Sequence, residues 1–366
     1  MGTIKRTFAN NLTTGGKLDA TDLSGTIPAS NIADTTVSAV TALPSALGDA
    51  IESVATDPVS PSEGQLWYNT TIGVLKGYIS IGGVWSSGGN MNTARDGLAG
   101  AGTQTAALAF GGFTTVKTGA TESYNGTSWT SSPNSMNTVR YIFAGAGTQT
   151  AALGFGGYLN TPTASTATEE YDGTSWASQT PSALSPRYGH GGCGTQTAAL
   201  AFGGSVYTNR LTSTQNYNGS AWTSGGAMNT ARVYFFGTGS NTAALAFGGF
   251  DGPGANVGAT ELYNGTSWTS NPTGLNTARR VMAGAGTQTS TIAFGGFTTA
   301  VTSATETWNG TIWSTSPVSM ATARNGLGGA GIQTAALAFG GGLPGVSSAT
   351  EEYTDPSFGV RKITTS

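Results

Sequence analysis

Six arginines recur at regular places in this chain of 366 residues: Arg95, Arg140, Arg187, Arg232, Arg279 and Arg324, six of its fifteen basic residues. An acidic series follows them at Glu122, Glu169, Glu261, Glu306 and Glu351, with Gln215 in the third place. Two chemistries suit such a set. Gathered at one place, the guanidinium groups would make a charged pocket for an anionic or sugar ligand. Alternatively, each arginine and its acid satisfy one another and nearby backbone groups between strands, as buried charges must. Repetition in every unit favours the second, because a binding site usually breaks symmetry.

Other chemistry is sparse. His190, in RYGHGG, is the single histidine, so metal sites that need several imidazoles cannot be assembled, and no metal or cofactor is expected. Cys193 has no partner for an intrachain disulfide and, between glycines, reads as a small core residue. Acid–base hydrolysis would need converging carboxylates, and the loop acids are few, Asp251 being the clearest. The chain is expected not to be an enzyme. A net charge of -3 with 9% charged residues removes the basic footprint of a nucleic-acid binder. No stretch is long and apolar enough to serve as a signal peptide or membrane span, which points to a product made in a cytoplasm.

The elements that position these residues are set by a repeat. Double glycines begin at Gly111, Gly156, Gly203, Gly248, Gly295 and Gly340, spaced alternately by 45 and 47 residues. A strand-rich unit of that length cannot bury both faces of its sheet alone and needs neighbours, which predicts a blade-by-blade β-propeller. In the first unit, GLAGAG (97–102) is the innermost strand and TQT a turn. AALAF (106–110) puts Leu108 and Phe110 on one face and Ala107 and Ala109 on the other, so that a bulky face meets the small face of the next sheet. ATESY is the third strand, and Asn125-Gly126 a hairpin turn into a fourth strand at Trp129. Trp176, Trp222, Trp268 and Trp313 repeat the last feature, but the sixth unit ends at Glu351 and Tyr353 without a tryptophan. Trp85 restores the count: the strand ending there should complete the sixth blade, although VLKGYI (74–79) could compete with ATEEY for the third position. The expected fold is all-β, a six-bladed propeller of four-stranded blades closed by an N-terminal strand, with a small extended N-terminal anchor.

These residues resemble the kelch family. The resemblance rests on the arginine of M-x-T-x-R, the double glycine, an aromatic residue and a tryptophan five residues later, as in Gly111-Gly112, Tyr124 and Trp129, and it covers roughly residues 83–355. Trp308 in place of tyrosine, ALSPR (183–187) in place of MNTAR, and Gln215 in place of glutamate depart from it. The short turns are uniform, whereas the connections between second and third strands vary, and variable loops on a uniform scaffold are where recognition usually lies. Tyr158, Asn160, Tyr207, Asn209, Arg210, Asp251 and Asn256 are the ligand-binding candidates there, aromatic faces and amides suiting sugars or protein surfaces. The alternative is that they are solvated turns with tucked aromatic rings.

Residues 1–64 differ in texture, polar and rich in Thr, Ser and Ala. Val40, Leu43, Leu47, Ala50 and Val54 follow a 3-4 spacing, and Ser45 suits a helix N-cap for a short segment ending near Val54; it could seed a homotrimer or lie on a neighbour. DPVSPSEG (57–64) reads as a linker, 65–87 as a β-hairpin and closing strand, and 88–366 as the propeller. FANNLTTGGKLDATDLSGTIPASNI (8–32) and SEGQLWYNTTIGVLKGYI (62–79) are similar to the bases of tailed-bacteriophage fibres and virion appendages. That resemblance implies a structural virion protein, assembled in the host cytoplasm, bound to other virion proteins through its N-terminal segment and presenting the propeller to a host-surface glycan or protein. A decoration or cement protein that packs only on virion subunits, and a bacterial surface adhesin, are the alternatives. No nucleic-acid partner and no membrane insertion are expected.

Overall fold

The computed structural model describes residues 51–59, 65–79, 83–160, 163–180, 183–252, 254–355 and 359–362. Among them every regular element is a strand. The chain divides into two compact units, one formed by Met1–Ile81 with Pro356–Ser366 and the other by Gly82–Asp355.

In the smaller unit, Glu52–Val54 runs parallel to Leu66–Asn69, which pairs antiparallel with Val74–Ile79, and this strand in turn pairs with Gly359–Lys362. The expected helical segment is therefore corrected at its C-terminal end: Glu52–Val54 takes its partners from a neighbouring strand rather than from a helix. Its remainder, with Val40, Leu43, Ser45 and Leu47, lies outside the described residues, as does the motif at 8–32. The competition at VLKGYI is also resolved, since it pairs within this unit. Asp57, read as the start of a linker, instead organises it. Its carboxylate accepts from Trp67 Nε1 at 3.1 Å, Asn69 Nδ2 at 2.8 Å and Lys76 Nζ at 2.5 Å, and Trp67 is fully buried beside it.

The larger unit is propeller-like, built of four-stranded antiparallel sheets in repeated order. The first comprises Ala99–Gly102, Ala107–Phe110, Thr121–Tyr124 and Trp129–Ser131. The same plan recurs over 144–178, 191–225, 236–271 and 283–315. In the last, Gly328–Ile332, Ala335–Phe339 and Thr350–Thr354 are completed by Val84–Ser87, with Trp85 opposite Tyr353. Alternation along the second strand makes the packing directional. Leu108 and Phe110 pack with Ala152 and Trp176 of the next sheet, and Leu337 and Phe339 pack with Ala107, Ala109 and Trp129 of the first.

Two sets of hydrogen bonds join consecutive sheets and return to their starting point. Each tryptophan of a fourth strand donates its indole N–H to a third-strand threonine of the preceding sheet: Trp129 to Thr350, Trp176 to Thr121, Trp222 to Thr168, Trp268 to Thr214, Trp313 to Thr260, all at 2.9 Å, and Trp85 to Thr305 at 3.0 Å. The second set is backbone. Ile142 N–H donates to Gly97 O, Gly189 to Ile142, Tyr234 to Gly189, Val281 to Tyr234, Gly326 to Val281 and Gly97 to Gly326, at 2.7 to 2.9 Å. All six residues hold positive φ, between 54° and 60°. Glycine does so freely; Ile142, Tyr234 and Val281 carry a strain of about 1–2 kcal/mol each that the ring must hold.

The TQT segment does more than turn. Gln104 Nε2 donates to Ala336 O and Tyr353 O of the preceding sheet, and Gln149, Gln196, Gln288 and Gln333 repeat this, so five of the junctions carry a side-chain strut onto second- and third-strand carbonyls.

Candidate functional site

The repeated charges are spent inside the framework. Arg95, Arg140, Arg187, Arg232, Arg279 and Arg324 are fully buried. Arg95–Glu122, Arg140–Glu169 and Arg232–Glu261 approach to 3.2 Å, Arg324–Glu351 to 2.8 Å, and Arg279 pairs with Glu306. The other oxygen of each carboxylate accepts a backbone N–H from the loop before the arginine, as Asn92 to Glu122 Oε2 at 2.7 Å. Arg324 also donates to Gly340 O at 2.8 Å and to Ala349 O at 2.6 Å, the latter shared with the Gly340 N–H at 3.0 Å. Burial pulls Arg95, Arg140, Arg187 and Arg232 down to about 10, still cationic near neutrality. Each arginine ties together strands and loops of its own sheet, so the guanidinium groups are engaged inside the framework rather than gathered in one pocket.

What differs between repeats lies one residue further on. The residue after each arginine is Asp96, Tyr141, Tyr188, Val233, Arg280 or Asn325, immediately before the member of the backbone ring. Each is bridged to the residue after the double glycine: Asp96 to Phe113, Tyr141 to Tyr158, Tyr188 to Ser205, Val233 to Phe250, Arg280 to Phe297 and Asn325 to Gly342. The connections that follow are short hairpins rather than free loops, as in Ser205–Val206 paired with Asn209–Arg210. Twelve side-chain positions, uniform in backbone and varied in chemistry, therefore surround the ring.

Their chemistry is sorted by sector. Aromatic rings run contiguously from Phe113 to Tyr141 (5.4 Å between centroids), Tyr158 (5.5 Å), Tyr188 (5.0 Å) and Tyr234 (6.2 Å). Next comes a cationic sector: Arg280 lies over Phe250 and Phe297, at 5.1 and 4.8 Å, and Arg210 lies over Phe250 at 4.9 Å. Beyond it the site is polar and half-buried. A methyl group at Gly342 would lie 3.4 Å from Asp96 Oδ2 and 3.3 Å from Asn325 Oδ1. Burial raises the Asp96 carboxyl and the Tyr141 and Tyr234 phenols above their usual ranges. Neighbouring phenols and Asp96 push Tyr141 further up, while Arg280 opposes the rise at Tyr234. Such an arrangement stacks on apolar ring faces, hydrogen-bonds through phenols and amides, and offers a cation at one side.

Inside the ring lies a cavity of about 100 Å³, lined by Leu98, Phe143, His190, Phe235, Met282 and Leu327, one from each sheet. His190 takes the place of an apolar residue, and neither of its ring nitrogens has a hydrogen-bond partner. Burial, then Arg187 and Arg140, depress it far below an ordinary imidazole, so it is neutral.

Of the residues singled out in the sequence, Tyr158 joins the aromatic run, and Arg210 and Asn256 meet around Phe250 and Arg280. Asn256 Nδ2 is fixed by Phe297 O at 3.1 Å and Thr298 O at 2.7 Å, while its Oδ1 accepts from Arg280 at 2.8 Å. Tyr207, exposed at a hairpin tip with φ 54°, is tied by its carbonyl to the Tyr188 hydroxyl at 2.8 Å; its ring is outside the cluster of rings. Asn209 and Asp251 are exposed, and Asn160 lies on a strand opposite Thr163. Tyr141, Tyr188, Tyr234, Asp96 and Arg280 were missed. Part of their signal was available: within a repeated framework, the position after each arginine is Asp, Tyr, Tyr, Val, Arg and Asn in turn, with Tyr234 one residue further on.

No family model matches the chain, and no curated protein shows significant similarity to it.

Proposed function

We propose that residues 83–355 form a six-bladed kelch-type propeller and that the face around its axis binds a host-surface glycan. The blade count and closure are supported by the two sets of hydrogen bonds that run through six sheets and come back to the first. The observation that carries the binding reading is the contrast between an invariant framework and the twelve varied positions beside the ring, tyrosines along one side and polar groups along the other. Binding fits better than catalysis because Asp96 is the single acid among those twelve positions. The sequence resemblance of the N-terminal segment to phage fibre bases supports placing this face on a virion appendage, with residues 1–64 as the attachment.

The test is a glycan array probed with the purified chain, followed by adsorption of particles carrying Tyr141→Ala or Tyr188→Ala. Binding to defined glycans that both variants lose, together with slower adsorption, is expected. Unchanged adsorption with particles that lose physical stability would replace host recognition by decoration of the virion.

A further inference from the structure

We propose that Arg210 and Arg280, oriented by Phe250 and Asn256, capture the carboxylate of an acidic sugar. This rests on the glycan reading and names its chemical class.

Outside the framework the larger unit has three basic residues, Lys117, Arg210 and Arg280. Two of them converge on one ring, that of Phe250: Arg210 from the hairpin at 205–210 and Arg280 from the segment just before Ala283–Gly286. Like charges repel, so two guanidinium groups sharing a ring call for a compensating anion. None is supplied by the protein: among the described residues, no ion pair involves Arg210 or Arg280, and the nearby acid in sequence, Asp251, makes none. Arg210 Nε is buried without a partner.

The cluster is also held in place. Arg280 lies over both Phe250 and Phe297, and Asn256, itself anchored to two carbonyls, accepts from one of its nitrogens. A planar guanidinium fixed by stacking keeps its remaining N–H groups as a fork, the geometry that matches a carboxylate. The phenol run that ends at Tyr234 adjoins this cluster: Val281, the residue after Arg280, donates its N–H to Tyr234 O at 2.8 Å, and Val233, the residue before Tyr234, is bridged to Phe250. A ligand that places a carboxylate on the arginines therefore puts its neighbouring apolar and hydroxyl-bearing surface over aromatic rings, which suits a sugar acid better than an extended polyanion. The overall charge of -3 agrees, since a polyanion would meet repulsion outside this sector.

The experiment is calorimetric titration of the full chain with 3′-sialyllactose against lactose, a glucuronate disaccharide against cellobiose, and a hexaglutamate peptide. At least one acidic sugar is expected to bind tenfold or more tightly than its neutral counterpart, with the preference weakening as salt rises. Arg280→Gln and, independently, the hairpin variant Arg210→Gln should each erase it. Neutral sugars binding equally well, unaffected by either variant, would overturn the acidic preference and leave glycan recognition standing. Binding of hexaglutamate without either acidic sugar would overturn it in favour of an acidic peptide. If nothing in these sugars or in the wider glycan array binds, the glycan reading fails as well.

Discussion

Gln215 Nε2 donates to the carbonyl of Ala183 at 3.1 Å, and that contact explains why one of six equivalent positions is an amide. In the other sheets the facing loop offers a donor, such as Asn229 N–H to Glu261 Oε2 at 2.7 Å. The ALSPR loop, where Ala183 takes φ 53°, turns a carbonyl to this side instead, while Ser185 N–H and Arg187 reach Gln215 Oε1 at 2.9 Å each. The two departures from the repeat are one adjustment, a loop and the side chain that reads its polarity.

Gln215→Glu is therefore expected to destabilise the protein by about 1–3 kcal/mol, even though it gives Arg187 a carboxylate, because an acceptor then faces a carbonyl. Glu261→Gln should cost a similar amount for the mirrored reason, a donor facing a donor. Denaturant unfolding measures both. A stabilised Gln215→Glu would mean that the missing charge partner outweighs loop polarity.

Trp85 secures the sheet that residues from opposite ends of the larger unit share. Its ring lies 5.3 Å from Tyr353 and 5.1 Å from Phe294, and its indole N–H bonds Thr305. Trp85→Ala should cost about 3 kcal/mol, with faster proteolysis after residues near 353. Equal proteolysis of variant and parent would show that the Val84–Ser87 strand is dispensable.

His190 gives stability a pH dependence of known sign. Its native imidazole is held well below 6.5 by burial, so as pH falls below about 6.5 the unfolded chain gains a proton that the folded one refuses. Stability should be full above that value and fall by up to about 1.4 kcal/mol per pH unit below it. His190→Phe, which copies Phe143 and Phe235 at the equivalent positions, should flatten the curve there. Parallel curves for the two proteins would remove His190 as the cause.

Asp57 sets a second window of the same sign, at lower pH, in the smaller unit. The Lys76 hydrogen bond, with those of Asn69 and Trp67, lowers its carboxyl from 3.8 to about 2. The contribution is present above pH 3.8 and disappears as pH drops through about 2. Asp57→Asn should expose Trp67 at neutral pH, seen as a red shift in emission. Unchanged emission would mean that Trp67 is buried independently of Asp57.

Much of the larger unit was legible because its signals are periodic. Double glycines, Asn-Gly turns and alternating second strands each repeat, so an ambiguity in one unit is settled by five others. The fourth-strand role of Trp85 followed from counting alone. The candidate site was not found that way, since repetition marks framework and hides what varies. Arg210 and Asn256 stood out as polar residues in long connections, but Tyr141, Tyr188 and Arg280 directly follow a repeated arginine and looked like part of its motif. The TQT glutamines were hidden for a different reason: their partners are carbonyls about twenty-five or forty residues earlier, or for Gln104 more than two hundred residues later, which no local pattern encodes. At Glu52–Val54 a weak helical spacing lost to strand pairing, as expected for a segment too short to be helical alone.

The pairing of Val84–Ser87 with Thr350–Thr354 also bears on how the protein is made. In the larger unit, five of the four-stranded sheets draw all their strands from consecutive sequence and are able to form as the chain leaves the ribosome, whereas the sixth waits for a segment synthesised more than two hundred and fifty residues after its partner. Until then, Val84–Ser87 has no strand to pair with. The slow, concentration-sensitive step in production should therefore be this late joining, and nascent chains halted before residue 350 should be the species most prone to associate with one another.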